Sequence, residues 1–200
     1  IKEIIDGNDV ILIPRPRRFG KTLNMTMLRY FFEKSEESRA YLFEGCAITD
    51  LPEYMEHQGQ YPVIYISLKD VKGTSWSESK TRMSEKLSEL FIRSEYLVSN
   101  LHPVYKSAYD AISLRTADDA TLTSSLKNLI EWLYEYHKKP VIVLIDEYDT
   151  PMIEAFSNGY YDEMAGFMRS WLGAGLKPER GQVLYRAVVT GILRIAKESI

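Results

Sequence analysis

A basic turn that ends in Gly20, Lys21 and Thr22 is the part of this sequence whose residue types and order can do chemistry. It follows the short apolar run 10–13 and precedes a stretch with apolar residues at helical spacing. In this order, backbone N–H groups at a helix N-terminus can surround a phosphate, the lysine can reach its outer oxygens, and the threonine hydroxyl can bind Mg²⁺. The stretch therefore predicts a phosphate-binding loop. The alternative is a basic surface turn between a strand and a helix.

The entry to this predicted loop departs from the general pattern. Glycine is usual five positions before the second glycine, but here Arg15 stands there between Pro14 and Pro16. Because proline fixes φ and removes an N–H donor, we expect proline stiffness to hold the entry where other loops use glycine. The residues expected to bind the phosphates are Arg17, Arg18, Phe19, Gly20, Lys21, Thr22 and Leu23.

A second chemical feature is the acidic pair Asp146 and Glu147, which ends the apolar run 141–145. Such a run is typical of a buried parallel strand that carries carboxylates to the carboxyl edge of a sheet. We expect Asp146 to bind Mg²⁺ and Glu147 to polarise the water that attacks a γ-phosphate. Because a nucleotide kinase needs no such base, Glu147 favours hydrolysis. The alternative is a strand that simply ends in solvated acids.

Two more predicted strands end in polar residues that should reach the same edge. The apolar run 62–68 ends at Lys69 and Asp70, which either approach the nucleotide or form a polar strand terminus. After the last predicted strand, we expect Thr190 to bond the attacking water or the γ-phosphate. Arg194 would neutralise charge in the transition state or sense the γ-phosphate, or else be a surface arginine.

Composition limits the class of protein. Two hundred residues with 45% hydrophobic content suit a single domain over 1–200. The net charge of −3 provides no global field for nucleic acid or an anionic membrane. The lone Cys46 rules out an internal disulfide and favours a reducing compartment, and no apolar run approaches the ~20 residues of a membrane span. We therefore expect a cytoplasmic protein, and the start at Ile1 suggests an excerpt of a longer chain.

Three helical patterns lie between the second and third predicted strands, at about 76–138. One crossover between parallel strands needs only one helix. The additional helices predict a helical insertion beside the carboxyl edge of the sheet, where the insertion would gate the site or sense its ligand. The alternative is helical padding with no such role.

Four blocks of the sequence, 14–22, 67–70, 146–151 and 190–199, together resemble the predicted AAA-ATPase-like family of P-loop proteins. The likeness runs along essentially the whole chain, and Arg15 agrees with the pattern of that family. The resemblance implies an α/β P-loop NTPase fold, a three-layer sandwich with a parallel sheet of the additional-strand type. It also implies the strand order 5-1-4-3-2, with the fifth strand expected after Ile200, and relatives among archaeal and STAND-like ATPases. Members often carry a nuclease-like C-terminal domain.

Three hypotheses follow for the function. The first is an Mg²⁺-dependent ATPase, in which the Walker A residues Lys21 and Thr22 and the Walker B residues Asp146 and Glu147 act on ATP. The second is a regulatory switch that binds ATP or ADP, turns over little alone, and controls an oligomer partner or a C-terminal effector domain. The third takes the loop arginines as a nucleic-acid contact, which the acidic balance does not support.

Overall fold

The computed structural model describes residues 1–16, 18–177 and 182–192. Its helices are α1 (Lys2–Asp6), α2 (Lys21–Phe32), α3 (Pro52–Met55), α4 (Trp76–Ile92), α5 (Pro103–Ser113), α6 (Asp119–His137), α7 (Thr150–Asn158) and α8 (Tyr161–Leu176). The strands are β1 (Val10–Pro14), β2 (Val63–Ser67), β3 (Val141–Asp146) and β4 (Leu184–Gly191). Short 3₁₀ turns occupy Ala40–Phe43, Ala47–Asp50 and Glu95–Asn100.

The four described strands form one parallel sheet in the order β1-β4-β3-β2. This order agrees with the positions that the resemblance assigns to strands one to four. Because all four strands run the same way, their carboxyl ends meet at one edge of the sheet. In this register Pro14 lies opposite Gly191, and Ser67 lies opposite Asp146.

Strand β3 is buried along its whole length, which explains why its sequence is apolar without alternation. Its successive residues belong to two different cores. Val143 and Ile145 pack with α4 to α8, whereas Ile142 and Leu144 pack with α1 and α2. The sheet is therefore the middle layer of three, as expected for the predicted sandwich.

The helices of the segment 76–138 pack in the larger of the two cores, together with β3 and β4. Helix α6 lies against α8, and the indole N–H of Trp171 donates to the hydroxyl of Ser125 at 3.0 Å. These helices are thus part of the main body of the protein. That they form an insertion which gates the site stays a prediction.

None of the helices in the described part of the chain combines the length and the hydropathy of a membrane-spanning segment.

Candidate active site

Backbone hydrogen bonds join the ends of the strands at the carboxyl edge. The N–H of Arg15 donates to the carbonyl of Gly191 at 2.9 Å, and the N–H of Tyr148 donates to that of Thr190 at 3.0 Å. On the other side of β3, the N–H of Leu68 donates to the carbonyl of Asp146 at 2.9 Å. The register of the sheet thus brings the basic turn, the acidic pair and the end of β4 together.

The basic turn enters α2 through Gly20, whose φ of +70° lies in the left-handed region that glycine adopts at little cost. Gly20 occupies the N-cap position of α2, and no side chain caps the helix there. The amides of the first turn have no partner within the helix itself, so they can donate to an anion. This arrangement fits the predicted phosphate-binding loop.

The side chain of Lys21 folds back over the turn and is 8% exposed. Its Nζ donates to the carbonyl oxygens of Arg15, at 2.9 Å, and of Pro16, at 3.1 Å. The ammonium group is therefore held at the mouth of the turn, where a bound phosphate would compete with these two carbonyls. Arg15 contributes through its backbone, so the proline-flanked entry takes part in positioning the lysine.

Asp146 lies beneath the turn and is 1% exposed. Its Oδ2 accepts a hydrogen bond from the hydroxyl of Thr22 at 2.7 Å, and its Oδ1 accepts one from the hydroxyl of Thr190 at 2.5 Å. Two hydroxyls from distant parts of the sequence thus fix the orientation of the carboxylate. In this structure the hydroxyl of Thr190 donates to Asp146, the predicted metal ligand, whereas the sequence predicted that it would bond the attacking water or the γ-phosphate.

The oxygen atoms of Thr22 and Asp146 fit Mg²⁺, which prefers oxygen ligands. Within the described residues there is no group of three or more His, Cys, Asp and Glu side chains that could hold a metal ion. A magnesium ion at this position would therefore take its other ligands from phosphate and water. This is the usual way in which Mg²⁺ binds with a nucleotide.

Glu147 has a φ of 54°, which is uncommon for a residue with a side chain. This conformation turns the chain from β3 into α7, and the carbonyl of Glu147 accepts the N–H of Thr150 at 3.1 Å. The hydroxyl of Thr150 also donates to Oε2 of Glu147 at 3.4 Å. Strained backbone of this kind is often found where a fold positions a functional side chain.

An open cavity of about 660 Å³ extends from the basic turn past Glu147. Its size is within the range of small-molecule sites, roughly 300 to 1,000 Å³. Of the predicted site residues, the cavity is lined by Arg18, Gly20, Lys21, Thr22, Leu23 and Glu147. Asp146 and Thr190 are buried, whereas the side chain of Phe19 is 65% exposed and is not part of this lining. Arg17 and Arg194 are outside the described residues.

The negative charge of the buried Asp146 affects a tyrosine on the neighbouring strand β2. Burial raises the pKa of the Tyr65 phenol on β2, and the negative charge of Asp146 adds to the increase. Tyr65 should therefore stay neutral beside Asp146 at physiological pH.

Two residues near the cavity have no role predicted from the sequence motifs. Asp149 is 1% exposed and accepts the backbone N–H of Ile192, and Lys72 lines the cavity together with Lys69. The sequence feature that could have identified Asp149 is its position three residues after Asp146. Lys72 carries no comparable signal, because its approach to the cavity depends on the path of the chain after β2.

Searches of curated proteins and of solved structures each found no significant match. A family model described as Predicted AAA-ATPase matches residues 1–200, which is the whole of the sequence. The chain therefore belongs to the predicted AAA-ATPase family.

Proposed function

We propose that this protein binds ATP with Mg²⁺ and hydrolyses it to ADP and inorganic phosphate. The observation that carries the proposal is the 2.7 Å hydrogen bond between Thr22, on the basic turn, and Asp146, at the end of β3. These are the two side chains whose residue types predict a magnesium site, and they are 124 positions apart in the sequence. Their contact supports a single site formed by the turn and the acidic pair.

In this proposal the first turn of α2 and Lys21 bind the phosphates. The uncapped amides donate to phosphate oxygens, and Nζ of Lys21 exchanges its carbonyl partners for the β- and γ-phosphates. Thr22 and Asp146 would hold the magnesium ion, which neutralises charge on the phosphate oxygens when it is bound. Thr190 keeps the carboxylate of Asp146 in orientation through its hydroxyl.

Glu147 is the proposed general base. It lines the cavity and accepts the Thr150 hydroxyl through Oε2. A water oxygen attacks the γ-phosphorus, the bond from that phosphorus to the bridging oxygen breaks, and ADP leaves with the electron pair. The carboxylate of Glu147 takes up the proton that the water loses.

The second candidate function is a nucleotide-dependent switch with little hydrolysis, which would control an oligomer partner or a C-terminal effector domain. The contacts of Gly191 and Ile192 at the end of β4 favour it. Gly191 accepts the N–H of Arg15 from the basic turn, and Ile192 lines the cavity. A change in the turn on nucleotide binding would therefore reach the segment that follows β4.

Calorimetry with ATP, ADP and Mg²⁺ tests the proposal. We expect Lys21→Ala to weaken the binding of ATP by about a hundredfold or more and to weaken ADP as well, because both nucleotides lose a charged contact with the β-phosphate and ATP also loses one with the γ-phosphate. Lys139→Ala is the matched control, since Lys139 is exposed and precedes β3 at the opposite edge of the sheet. Equal affinity of the parent protein and Lys21→Ala would contradict the proposed site.

Turnover separates the enzyme from the switch. Glu147→Gln should keep nucleotide affinity and stop the release of phosphate, because the amide cannot accept the proton. Tight binding by the parent protein without phosphate release would favour the switch. Hydrolysis by Glu147→Gln at the parent rate would show that Glu147 is not the base.

A further inference from the structure

The loop after β2 faces the basic turn across the cavity and carries two lysines into it. Lys69 and Lys72 line the cavity together with Arg18, Lys21 and Glu147. The hydrogen bond from the N–H of Leu68 to the carbonyl of Asp146 places the start of this loop beside the acidic pair. The strand order places β3, which leads to Glu147, between the strands that lead to the basic turn and to this loop. The cavity therefore has cationic side chains on both sides of β3, and its lining also includes the acids Asp149 and Glu154.

The backbone of this loop is held by the core. Leu68 and Val71 are fully buried, and the N–H of Val71 donates to the carbonyl of Leu68 at 3.0 Å. At the far end, the hydroxyl of Tyr160 donates to the carbonyl of Gly73 at 2.7 Å, and the same hydroxyl meets the buried Ser79 hydroxyl at 2.7 Å. The two lysines thus project from a fixed backbone, which reduces the cost of ordering them on a ligand.

The acidic and the basic side chains of this loop have different neighbours. Lys69 and Lys72 line the cavity, whereas Asp70 faces α4. The carboxylate of Asp70 lies 3.7 Å from Nζ of Lys86 on α4. Within the described part of the chain, neither Lys69 nor Lys72 forms a hydrogen bond or an ion pair through its side chain. The nearby acid of the loop therefore does not neutralise them, and both ammonium groups can meet an anion in the cavity.

The position of the proposed nucleotide site indicates which anion Lys69 and Lys72 would bind. A phosphate chain bound at the first turn of α2 has its terminal group nearest to Glu147, because that residue must reach the attacking water. In the strand order β1-β4-β3-β2, the loop 69–72 follows the strand on the far side of β3 from the basic turn, so we expect it to meet the terminal phosphate and not the inner ones. We propose that Lys69 and Lys72 bind the γ-phosphate of ATP and stabilise its charge during hydrolysis. This inference rests on the proposed function.

In many P-loop proteins an arginine from a partner or from elsewhere in the fold has this role. Cations at the transferring phosphate act on charge that spreads over its equatorial oxygens. Lysines held on a rigid loop in the same chain would supply that charge without a second subunit. They would also distinguish ATP from ADP, because ADP has no γ-phosphate.

Binding of ATP and of ADP to the double variant Lys69→Ala/Lys72→Ala tests the inference. We measure both affinities by calorimetry with Mg²⁺ in a Glu147→Gln background, so that ATP is not consumed. The affinity for ATP should fall by about tenfold or more, and the affinity for ADP should not change. Lys139→Ala in the same background should change neither affinity, and Lys69→Arg/Lys72→Arg should keep most of the preference for ATP.

Turnover with Glu147 intact gives a second measurement. The alanine double variant should lose about tenfold to a hundredfold in kcat, since each cation acts on the transition-state charge. An unchanged ratio of ATP to ADP affinity together with an unchanged kcat would overturn the inference. Equal loss of affinity for ATP and ADP would also overturn it, because it would place the lysines at the inner phosphates.

The two proposals fail in different ways. If Lys21→Ala loses nucleotide binding and the lysine double variant behaves like the parent, the nucleotide site stands and the role of the loop is wrong. If the parent protein binds neither ATP nor ADP, both proposals are wrong. Binding of inorganic phosphate that depends on Lys69 and Lys72 but not on Lys21 would show an anion site separate from the nucleotide site, and it would also overturn the inference.

Discussion

Oδ2 of Asp149 accepts a hydrogen bond from the backbone N–H of Ile192 at 2.6 Å. Asp149 lies in the turn between β3 and α7, and Ile192 directly follows β4. The bond therefore links the turn that carries Glu147 to the strand that carries Thr190. Glu147 is two positions before Asp149, and Thr190 is two positions before Ile192. The placement of Glu147 relative to Thr190 therefore depends on this hydrogen bond.

Removal of the Asp149 carboxylate should loosen the link. We expect Asp149→Ala to lower the free energy of unfolding by about 1.5–3 kcal/mol, the usual value for a hydrogen bond to a charged group. Asp149→Asn keeps an acceptor oxygen and should cost less. Urea unfolding of the three proteins measures the difference. If Asp149→Ala were as stable as the parent, the link would not hold the end of β4.

The close approach of Gly191 to the same turn leaves no room for a side chain. A Cβ at this position would lie 2.6 Å from Oδ1 of Asp149 and 2.7 Å from Cε1 of Tyr148. We expect Gly191→Ala to destabilise the protein by about 1–3 kcal/mol, because buried neighbours must move. The melting temperature and urea midpoint measure this change.

Gly166 on α8 is the matched control for that substitution. A Cβ there would meet nothing within 4 Å, and the residue is exposed within the helix. Alanine should therefore stabilise the protein by up to about 1 kcal/mol through its higher helix propensity. A similar loss of stability in both variants would contradict the steric explanation for Gly191.

Thr22→Val should change the dependence on magnesium. The valine has a similar shape but no hydroxyl, so it removes one proposed ligand and the hydrogen bond to Oδ2 of Asp146. We expect the Mg²⁺ concentration for half-maximal ATP binding to rise by about tenfold. Thr26→Val, one turn later on α2, removes a hydroxyl that donates to the carbonyl of Thr22 and should leave the magnesium dependence unchanged. The same value for parent and Thr22→Val would exclude Thr22 as a ligand.

His137 at the end of α6 should make stability sensitive to mild acid. Burial lowers the pKa of its imidazole, and the positive charge of Lys34 lowers it further. As the pH falls below about 6.5, the unfolded chain binds a proton first, so the free energy of unfolding decreases. Above this pH the group is neutral in both states and contributes nothing.

His137→Gln tests this effect because glutamine does not titrate. The variant should lose less stability than the parent between pH 7 and pH 5.5 when urea unfolding is measured at both values. Its stability at pH 7 reports any change in packing against Tyr96, whose hydroxyl lies 3.0 Å from Nε2. An equal decrease in both proteins would show that other groups cause the acid sensitivity.

Much of the fold could be predicted from local patterns. The continuous apolar residues of β3 predict a strand buried on both faces, and Gly20, Lys21 and Thr22 predict a turn that begins a helix. The strand pattern depends on adjacent and alternate residues, and the start of the helix depends on residues within one or two helical turns. Both can therefore be recognised without knowledge of the rest of the chain. The order of the motifs along the chain also predicted that Asp146 and the turn would share one edge of the sheet.

The contacts across that edge could not be predicted in the same way. Which oxygen of Asp146 meets Thr22 and which meets Thr190, and that Asp149 holds Ile192, depend on the register of β3 against β4 and on the path of each loop. The strands, the basic turn that begins α2 and the acidic pair could all be predicted from the sequence, because each depends on residues that are close together in the chain. Which side chains meet in the cavity is known only from the three-dimensional structure, because it depends on packing throughout both cores.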